Sequence, residues 1–280
     1  MNDEILSSRG RVTRRRALAL GGAVSLGGLL AACASDGDDP AGDAAKTTPA
    51  GPPPSSSVEK LLEKAPRCSM TKEGTQGPFW FDVDSIRDDV REGRPGDRLD
   101  LALRVQDISA CEKGGDAVPV RNAVVEIWHC DAGGVYSGFE SASTGGGPPP
   151  AGPGDTSSGS YSVGDREAAR GDDGTYLRGA QPTGRDGIAH FTTIYPGWYP
   201  GRTVHIHVKV HVDKETVLTT QVYFDEKVNA AVFESAPYDE RSGRETFNDD
   251  DPIFDKSGLV AVGKTGKGYL GAINLAIAGA

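Results

Sequence analysis

Two histidines separated by one residue are the first feature of this 280-residue chain that suggests chemistry. His205 and His207 lie in the run 202–210, Arg-Thr-Val-His-Ile-His-Val-Lys-Val, where apolar residues alternate with polar ones. Such alternation predicts a β-strand, and residues i and i+2 of a strand point to the same face. The two imidazoles would therefore project together from a rigid element and supply half of a metal site.

This spacing is not specific on its own. Many strands carry such a pair on a solvated face, and cupins use it to bind zinc or copper with other partners. A cupin-like site would want a further carboxylate or histidine, and none stands at a suitable spacing. His211 has the same parity as His207 but lies too far along the strand to share its ion.

Two tyrosines in turn-rich segments change the interpretation. Tyr199 lies in the segment 195–201, Tyr-Pro-Gly-Trp-Tyr-Pro-Gly, which leads into the histidine strand. Tyr136 ends the segment 131–136, Asp-Ala-Gly-Gly-Val-Tyr, which follows a β-rich run. This arrangement resembles the intradiol ring-cleavage dioxygenases, which include catechol, hydroxyquinol and protocatechuate enzymes. The resemblance covers roughly residues 73–254 and begins at Glu-Gly-Thr-Gln-Gly-Pro-Phe.

The resemblance implies a role for six residues, matched by motif position. Tyr136, Tyr199, His205 and His207 correspond to the four protein ligands of a ferric ion, Fe(3+). Arg202, three residues before the first histidine, corresponds to an active-site arginine. Gln221 corresponds to a glutamine near the substrate, so Arg202, Tyr199 and Gln221 are the expected catalytic residues.

The chemistry of the donors agrees with that ion. Phenolate is a hard oxygen donor and imidazole is borderline, a combination that suits a hard ion of high charge. A free tyrosine has a pKa near 10, so only a strong Lewis acid keeps two of them ionised at neutral pH. The resemblance implies that a catechol-type substrate and O2 react there, and that the ring opens between its hydroxylated carbons to a cis,cis-muconate-type diacid.

Other polar and aromatic residues have simpler interpretations. Tyr195 is expected to pack rather than bind metal, and His129 and His190 are expected to be structural. Aromatic residues that could belong to the core or line a pocket are Trp128, Phe191, Phe79, Trp80 and Trp198, of which the first two favour the core. Arg178 and Gln181 are candidates for pocket residues.

The elements that must position these residues are mostly strands. Runs of alternating or β-branched residues predict strands at 100–105, 118–128, 187–194, 203–212, 217–224 and 269–277. Short helices are predicted only at 58–64 and 227–234, and 141–174 is a long Gly/Pro-rich loop. We therefore expect an all-β protein, a two-sheet β-sandwich with long loops, in one catalytic domain spanning residues 58–280.

Charge argues against nucleic acid as a partner. The formal net charge is −10. Residues 1–32 hold five arginines against two acidic residues, so the rest of the chain carries about −13 by subtraction. A body this acidic repels phosphate backbones.

The N-terminus is predicted to direct export. Arg14, Arg15 and Arg16 precede an apolar run rich in Gly, Ala and Leu, which resembles a twin-arginine signal; an ordinary secretory signal is the alternative. The run ends Leu-Ala-Ala-Cys, like a lipobox, so residues 1–32 would be the signal peptide and Cys33 the lipidated residue. A Cys in a signal peptide cut elsewhere is the alternative. Residues 33–57 read as a flexible tether. The protein would be an exported, extracytoplasmic, membrane-anchored lipoprotein.

Three more cysteines remain, Cys68, Cys111 and Cys130. One disulfide and one leftover thiol are expected in an oxidising compartment. Cys111 and Cys130 flank a candidate hairpin and are the favoured pair.

A non-catalytic exported β-sandwich that binds carbohydrate or protein is a second interpretation of the whole chain, although it leaves the two tyrosines and two histidines unexplained. The particular catechol and the oligomeric state stay open.

Overall fold

The fold is taken from a computed structural model that describes residues 55–146, 149 and 151–279. The predicted signal peptide, Cys33 and the tether up to residue 54 lie outside the described residues. Residues 55–57 were expected to belong to the tether and instead form the start of a helix, α1. In the described part of the chain, no helix is long and apolar enough to cross a bilayer.

Strands dominate the described chain. The eleven strands are β1 (Arg98–Asp107), β2 (Val118–Pro119), β3 (Val124–Trp128), β4 (Ala151–Ser158), β5 (Val163–Ala168), β6 (Arg178–Pro182), β7 (Ile188–Ile194), β8 (His205–Val212), β9 (Glu215–Tyr223), β10 (Ala261–Thr265) and β11 (Gly268–Ile277). The two α-helices are α1 (Ser55–Leu62) and α2 (Glu226–Val232). Short 3₁₀ helices span Cys111–Lys113, Tyr238–Glu240, Asn248–Asp250 and Lys256–Gly258, and a π turn spans Ala142–Gly146.

The strands form two main sheets. The first has the order β10-β11-β1-β2, and β7 also pairs with β1. The second has the order β6-β3-β8-β9, and β4 and β5 form a separate hairpin. Strands β1 and β11 run parallel, with Leu99 opposite Tyr269, whereas the other named pairs are antiparallel. The predicted all-β, two-sheet sandwich is confirmed.

The core lies between the sheets and follows the alternation of the strands. Leu101 and Leu103 of β1, Ile127 of β3 and Val208 of β8 belong to one buried cluster. Burial of each such side chain stabilises the fold by about 1.5–3 kcal/mol. On the outer face of the first sheet, α1 packs its apolar stripe, Val58, Leu61 and Leu62, against Ala102, Leu270 and Ala272. Because alternate residues of a strand point to opposite faces, burial of Val208 in the core directs its neighbours in β8 to the other face of the sheet.

Five of the six predicted strands form near their expected positions. The sixth, 118–128, is broken into β2 and β3. Pro119 has no N–H for a ladder, and Asn122 has φ +59°, which a continuous strand does not allow. The predicted loop 141–174 contains the π turn and the β4–β5 hairpin, and strands β6 and β10 were not predicted.

The disulfide differs from the expected one. Cys68 is bonded to Cys111, with the two Cα atoms 5.8 Å apart, and Cys130 is a buried free thiol. The prediction of a Cys111–Cys130 pair is wrong because the hairpin it assumed does not form: β1, which precedes Cys111, and β3, which precedes Cys130, belong to different sheets. The bond instead ties the segment before Thr71 to the end of β1.

Candidate metal centre

Strand β8 presents its two histidines on the face opposite the core. Ile206 and Val208 belong to the core cluster, so His205 and His207 point the other way. Both imidazoles are nevertheless buried, at 2% and 1% exposure. Across the sheet, His207 lies opposite Trp128 of β3, and the two rings stack with centroids 4.9 Å apart. The outer face of this sheet is therefore a second buried region, built around the histidines.

The two tyrosines lie on loops that pack against this face, one carrying Tyr136 and the other Tyr199. Asp131 organises the first, because its Oδ1 accepts hydrogen bonds from the backbone N–H groups of Gly133 and Val135 at 2.9 and 3.0 Å. Gly134 has φ +82°, and a Cβ there would lie 2.3 Å from the carbonyl oxygen of Trp198. Only glycine therefore allows the loop that carries Tyr136 to pack directly against the loop that carries Tyr199.

The four predicted ligands converge. Tyr199 Oη lies 3.1 Å from His205 Nε2, and Tyr136 Oη lies 3.4 Å from the same nitrogen. His205 Nε2 lies 3.2 Å from His207 Nε2. The tyrosine rings meet edge to face with centroids 5.7 Å apart. The structure thus brings together two phenolic oxygens and two ring nitrogens from three segments of the chain.

Burial keeps all four groups neutral in the absence of an ion. It lowers the pKa of His205 to about 3, helped by the charge of Arg202, and it lowers the pKa of His207 well below its usual value. It also raises the pKa of Tyr136, and it raises that of Tyr199 to about 12, although the charge of Arg202 opposes this rise. His205 Nδ1 donates to the carbonyl oxygen of Thr203 at 2.7 Å, so its Nε2 carries the lone pair.

These observations fit a single hard cation. Donor atoms that share one ion at about 2 Å from each lie about 3 Å apart, which matches the observed 3.1–3.4 Å. His205 Nε2 carries a lone pair, and an ion at this point would satisfy it together with Nε2 of His207, which lies 3.2 Å away. A strong Lewis acid would also offset the raised pKa values of the phenols.

Solved structures of intradiol ring-cleavage dioxygenases resemble this chain. The enzyme from Tetranychus urticae is 30% identical over 75% of this chain and 95% of its own, with a TM-score of 0.62. The chain belongs to the intradiol ring-cleavage dioxygenase family. The dioxygenase domain of a carbohydrate-binding fusion protein from Streptomyces sp. SirexAA-E is 28% identical over 76% of this chain and all of its own, with a TM-score of 0.50. No family profile and no curated protein sequence matches the chain.

The dioxygenase places Arg202 and Gln221 side by side at the centre. Gln221 lies opposite His207 in the β8–β9 ladder. An Nη2 of Arg202 donates to Oε1 of Gln221, and the amide of Gln221 donates to the carbonyl oxygen of Thr75 at 3.0 Å. The Nε of Arg202 donates to Asp251, a residue that sequence reasoning missed.

A strap formed by residues 73–80 crosses the centre. Besides the contact of Thr75 with Gln221, Gly77 lies against the ring of His207. Phe79 stacks on Tyr136 with centroids 4.6 Å apart. The start of this segment was singled out by its similarity to the family, but its position over the ligands is visible only in the fold.

An open cavity of about 720 Å³ lies next to the centre. Its wall includes Tyr199, Phe79, Pro200 and Arg241. Tyr136, in contrast, is fully buried and does not line it. The two tyrosines therefore differ in access, and Tyr199 is the one that a molecule in the cavity reaches.

The remaining candidates lie away from the donors. Tyr195 is buried and donates to Asn229 at 2.7 Å, as expected for a packing residue. His129 contacts Thr193 at 2.7 Å and is structural. His211 contacts Glu126 at 3.3 Å.

Of the aromatic and basic candidates, some line the cavity and others are buried elsewhere. Phe191 is a core residue, whereas Trp80 and Trp128 belong to a separate buried cluster that also contains Tyr136. Trp128 was expected in the core and instead stacks on His207, and Phe79 lines the cavity. Trp198 is nearly buried and lies under the guanidinium of Arg241. Arg178 is buried and donates to the side chain and backbone of Ser137, next to Tyr136, rather than lining the cavity. Gln181 lies in β6, whose partner in the sheet is β3.

Proposed function

We propose that this dioxygenase binds one ferric ion through Tyr136, Tyr199, His205 and His207. We further propose that it uses O2 to cleave a catechol-type ring between its hydroxylated carbons, giving a cis,cis-muconate-type diacid. This proposal depends on the convergence of both phenolic oxygens and Nε2 of His207 within 3.1–3.4 Å of Nε2 of His205. Membership of the ring-cleavage family supports the reaction class.

A bound ferric ion would supply Lewis acidity and draw electron density from the aromatic ring. The chain's own residues then divide the remaining tasks. Tyr199 faces the cavity, and if it is held as a tyrosinate its Oη would accept a proton from an incoming catechol, because burial favours the protonated phenol. Tyr136 is fully buried and stacks on Phe79, so it would stay in place when substrate binds.

Arg202 provides the positive charge nearest to Tyr199 and would stabilise negative charge that develops on the substrate. Gln221 has a more indirect role than its motif suggests. Its Oε1 accepts from Arg202 and from Tyr223, and its amide is bound to Thr75. We propose that Gln221 mainly holds Arg202 and thereby orients the substrate through it.

Colour and oxygen uptake test the proposal together. The purified protein should contain iron and show a visible tyrosinate-to-iron charge-transfer band, and a panel of catechols should give O2 uptake with product masses of ring-opened diacids. Tyr199→Phe should alter the band and lose most of the activity. Tyr161→Phe is the matched control, since Tyr161 is a buried tyrosine that contacts His211 and none of the four donors.

Two results would contradict the proposal. One is a colourless protein that takes up no iron on reconstitution, which would favour a binding module. The other is wild-type turnover by Tyr199→Phe. If the colourless protein instead binds zinc, a metalloenzyme of cupin type would be favoured.

We also propose that the catalytic domain, residues 58–280, is exported and tethered to a membrane by acylated Cys33. The arginines at 14–16 and the Leu-Ala-Ala-Cys sequence motivate this proposal. The Cys68–Cys111 disulfide supports it, because structural disulfides persist in oxidising compartments. Cys33→Ser should release the protein from the membrane fraction, and recovery of that variant in the membrane would contradict the anchor.

A further inference from the structure

Asp251 is a buried carboxylate beside the centre that is not among the four converging donors. Its side chain is 0% exposed. Its Oδ2 accepts from Arg202 Nε at 2.9 Å and from the backbone N–H of Thr203 at 3.0 Å, and its Oδ1 accepts from the N–H of Ile253 at 2.9 Å. Burial of an unpaired carboxylate costs several kcal/mol, so these partners explain why it is tolerated.

The first consequence concerns the guanidinium of Arg202. A guanidinium is planar, so two bonds on different edges fix its orientation. Asp251 holds the Nε edge and Gln221 holds one terminal nitrogen. Without Asp251, the guanidinium would lose the bond that holds its Nε edge and could rotate about its contact with Gln221.

The second consequence concerns His205. The same oxygen of Asp251 that binds Arg202 also binds the N–H of Thr203, whose carbonyl oxygen accepts from His205 Nδ1 at 2.7 Å. Partners of this kind set the tautomer and the ring orientation of a ligating histidine. Asn248 reinforces the arrangement, because the hydroxyl of Thr203 donates to its side chain at 2.7 Å.

We propose that Asp251 is a positioning residue that aims Arg202 at the substrate and, through Thr203, orients His205 toward the metal. Its effect on turnover rests on the proposed function, whereas its effect on iron affinity does not require turnover. An aspartate is needed because one oxygen accepts two bonds while the other accepts a third. Asparagine offers a single, uncharged acceptor oxygen, so it can accept either from Arg202 and Thr203 or from Ile253 but not from all three, and the bonds that remain are weaker than those of a carboxylate.

The test compares Asp251→Asn with Asp249→Asn in the full-length protein. Asp249 is an exposed aspartate two residues away and is the matched control. Ferric ion affinity is measured by competition with a chelator, and kcat and KM for catechol are measured per bound iron. We expect Asp251→Asn to lower both iron affinity and kcat by about 10- to 100-fold, the usual effect of removing a residue that supports a ligand. Asp249→Asn should stay within about twofold of wild type.

A double variant separates positioning from general damage. In the Arg202→Gln background, the added Asp251→Asn change should lower kcat by no more than about twofold, because the group that it positions is already absent. The double variant also removes both charges of the pair, which protects folding if Asp251→Asn alone does not fold. The double variant should still bind iron more weakly than Arg202→Gln, since a neutral amide binds the N–H of Thr203 more weakly than the carboxylate does.

Wild-type iron affinity and kcat in Asp251→Asn would overturn the proposal. The proposal would also be overturned if Asp251→Asn lowered kcat by the same factor in the Arg202→Gln background as in the wild type. Asp251 would then act independently of the arginine. If the wild-type protein turned over no catechol, the proposed function would fail. The iron-affinity comparison would then still decide whether Asp251 supports His205.

Discussion

Gly77 offers a direct test of how the strap shapes the metal centre. Its φ is +72°, and a Cβ at this position would lie 3.0 Å from Cε1 of His207. Left-handed backbone costs a residue with a side chain about 1–2 kcal/mol. The contact adds a second effect, because the His207 ring is already stacked on Trp128 and has little freedom to move. Gly77→Ala should therefore displace the imidazole by a few tenths of an ångström or lift the strap.

Gly93 separates the two effects. It has φ +76°, and nothing lies within 4 Å of a Cβ built on it. Gly93→Ala should therefore lose about 1–2 kcal/mol in the free energy of unfolding and leave the centre untouched. Gly77→Ala should lose at least as much and also lower ferric ion affinity by about tenfold or more.

Denaturant unfolding measures the first quantity, and chelator competition followed by the charge-transfer band measures the second. Our reasoning would be refuted if Gly77→Ala kept wild-type iron affinity and an unchanged band while Gly93→Ala lost the same stability. The strap would then not restrain His207.

Three further changes test other parts of the fold. Replacing Cys68 with serine opens a loop whose ends are separated by 43 residues and should lower the free energy of unfolding by about 4 kcal/mol, measured against the disulfide-bonded wild-type protein. Burial holds the pKa of His129 at about 4 when folded, against about 6.5 when unfolded, so the unfolded state binds the extra proton as the pH falls from 6.5 toward 4. His129 alone should lower stability by about 3 kcal/mol over that window, so a His129→Gln variant should show a flatter dependence in denaturant titrations. Arg178→Lys cannot reproduce both bonds to Ser137 and should cost about 2–4 kcal/mol in thermal or denaturant unfolding; an unchanged midpoint would show that these bonds contribute nothing.

The local pattern of the sequence determined the strands and the direction of their side chains. Alternation along 203–212 was enough to place His205 and His207 on one face, because the geometry of a strand depends only on neighbouring residues. The same reasoning located β1, β7, β9 and β11. It failed at 118–128, where the left-handed Asn122 ends the regular backbone.

The metal ligands required a resemblance to a family as well as the local pattern. Tyr136 is 69 residues from His205 in the chain, and no periodicity connects them. The donor types indicated a hard ion, but their spacing at 3.1–3.4 Å depends on how two loops pack at Gly134.

Long-range pairing was decided only by the tertiary structure. Asp251 follows two other aspartates, and no local pattern shows that it is the one of the three that contacts Arg202, 49 residues away. Likewise, the choice of Cys68 over Cys130 as the partner of Cys111 follows from which strands share a sheet. Neighbouring residues fix the conformation of the backbone, whereas the packing of separate elements fixes which distant side chains meet.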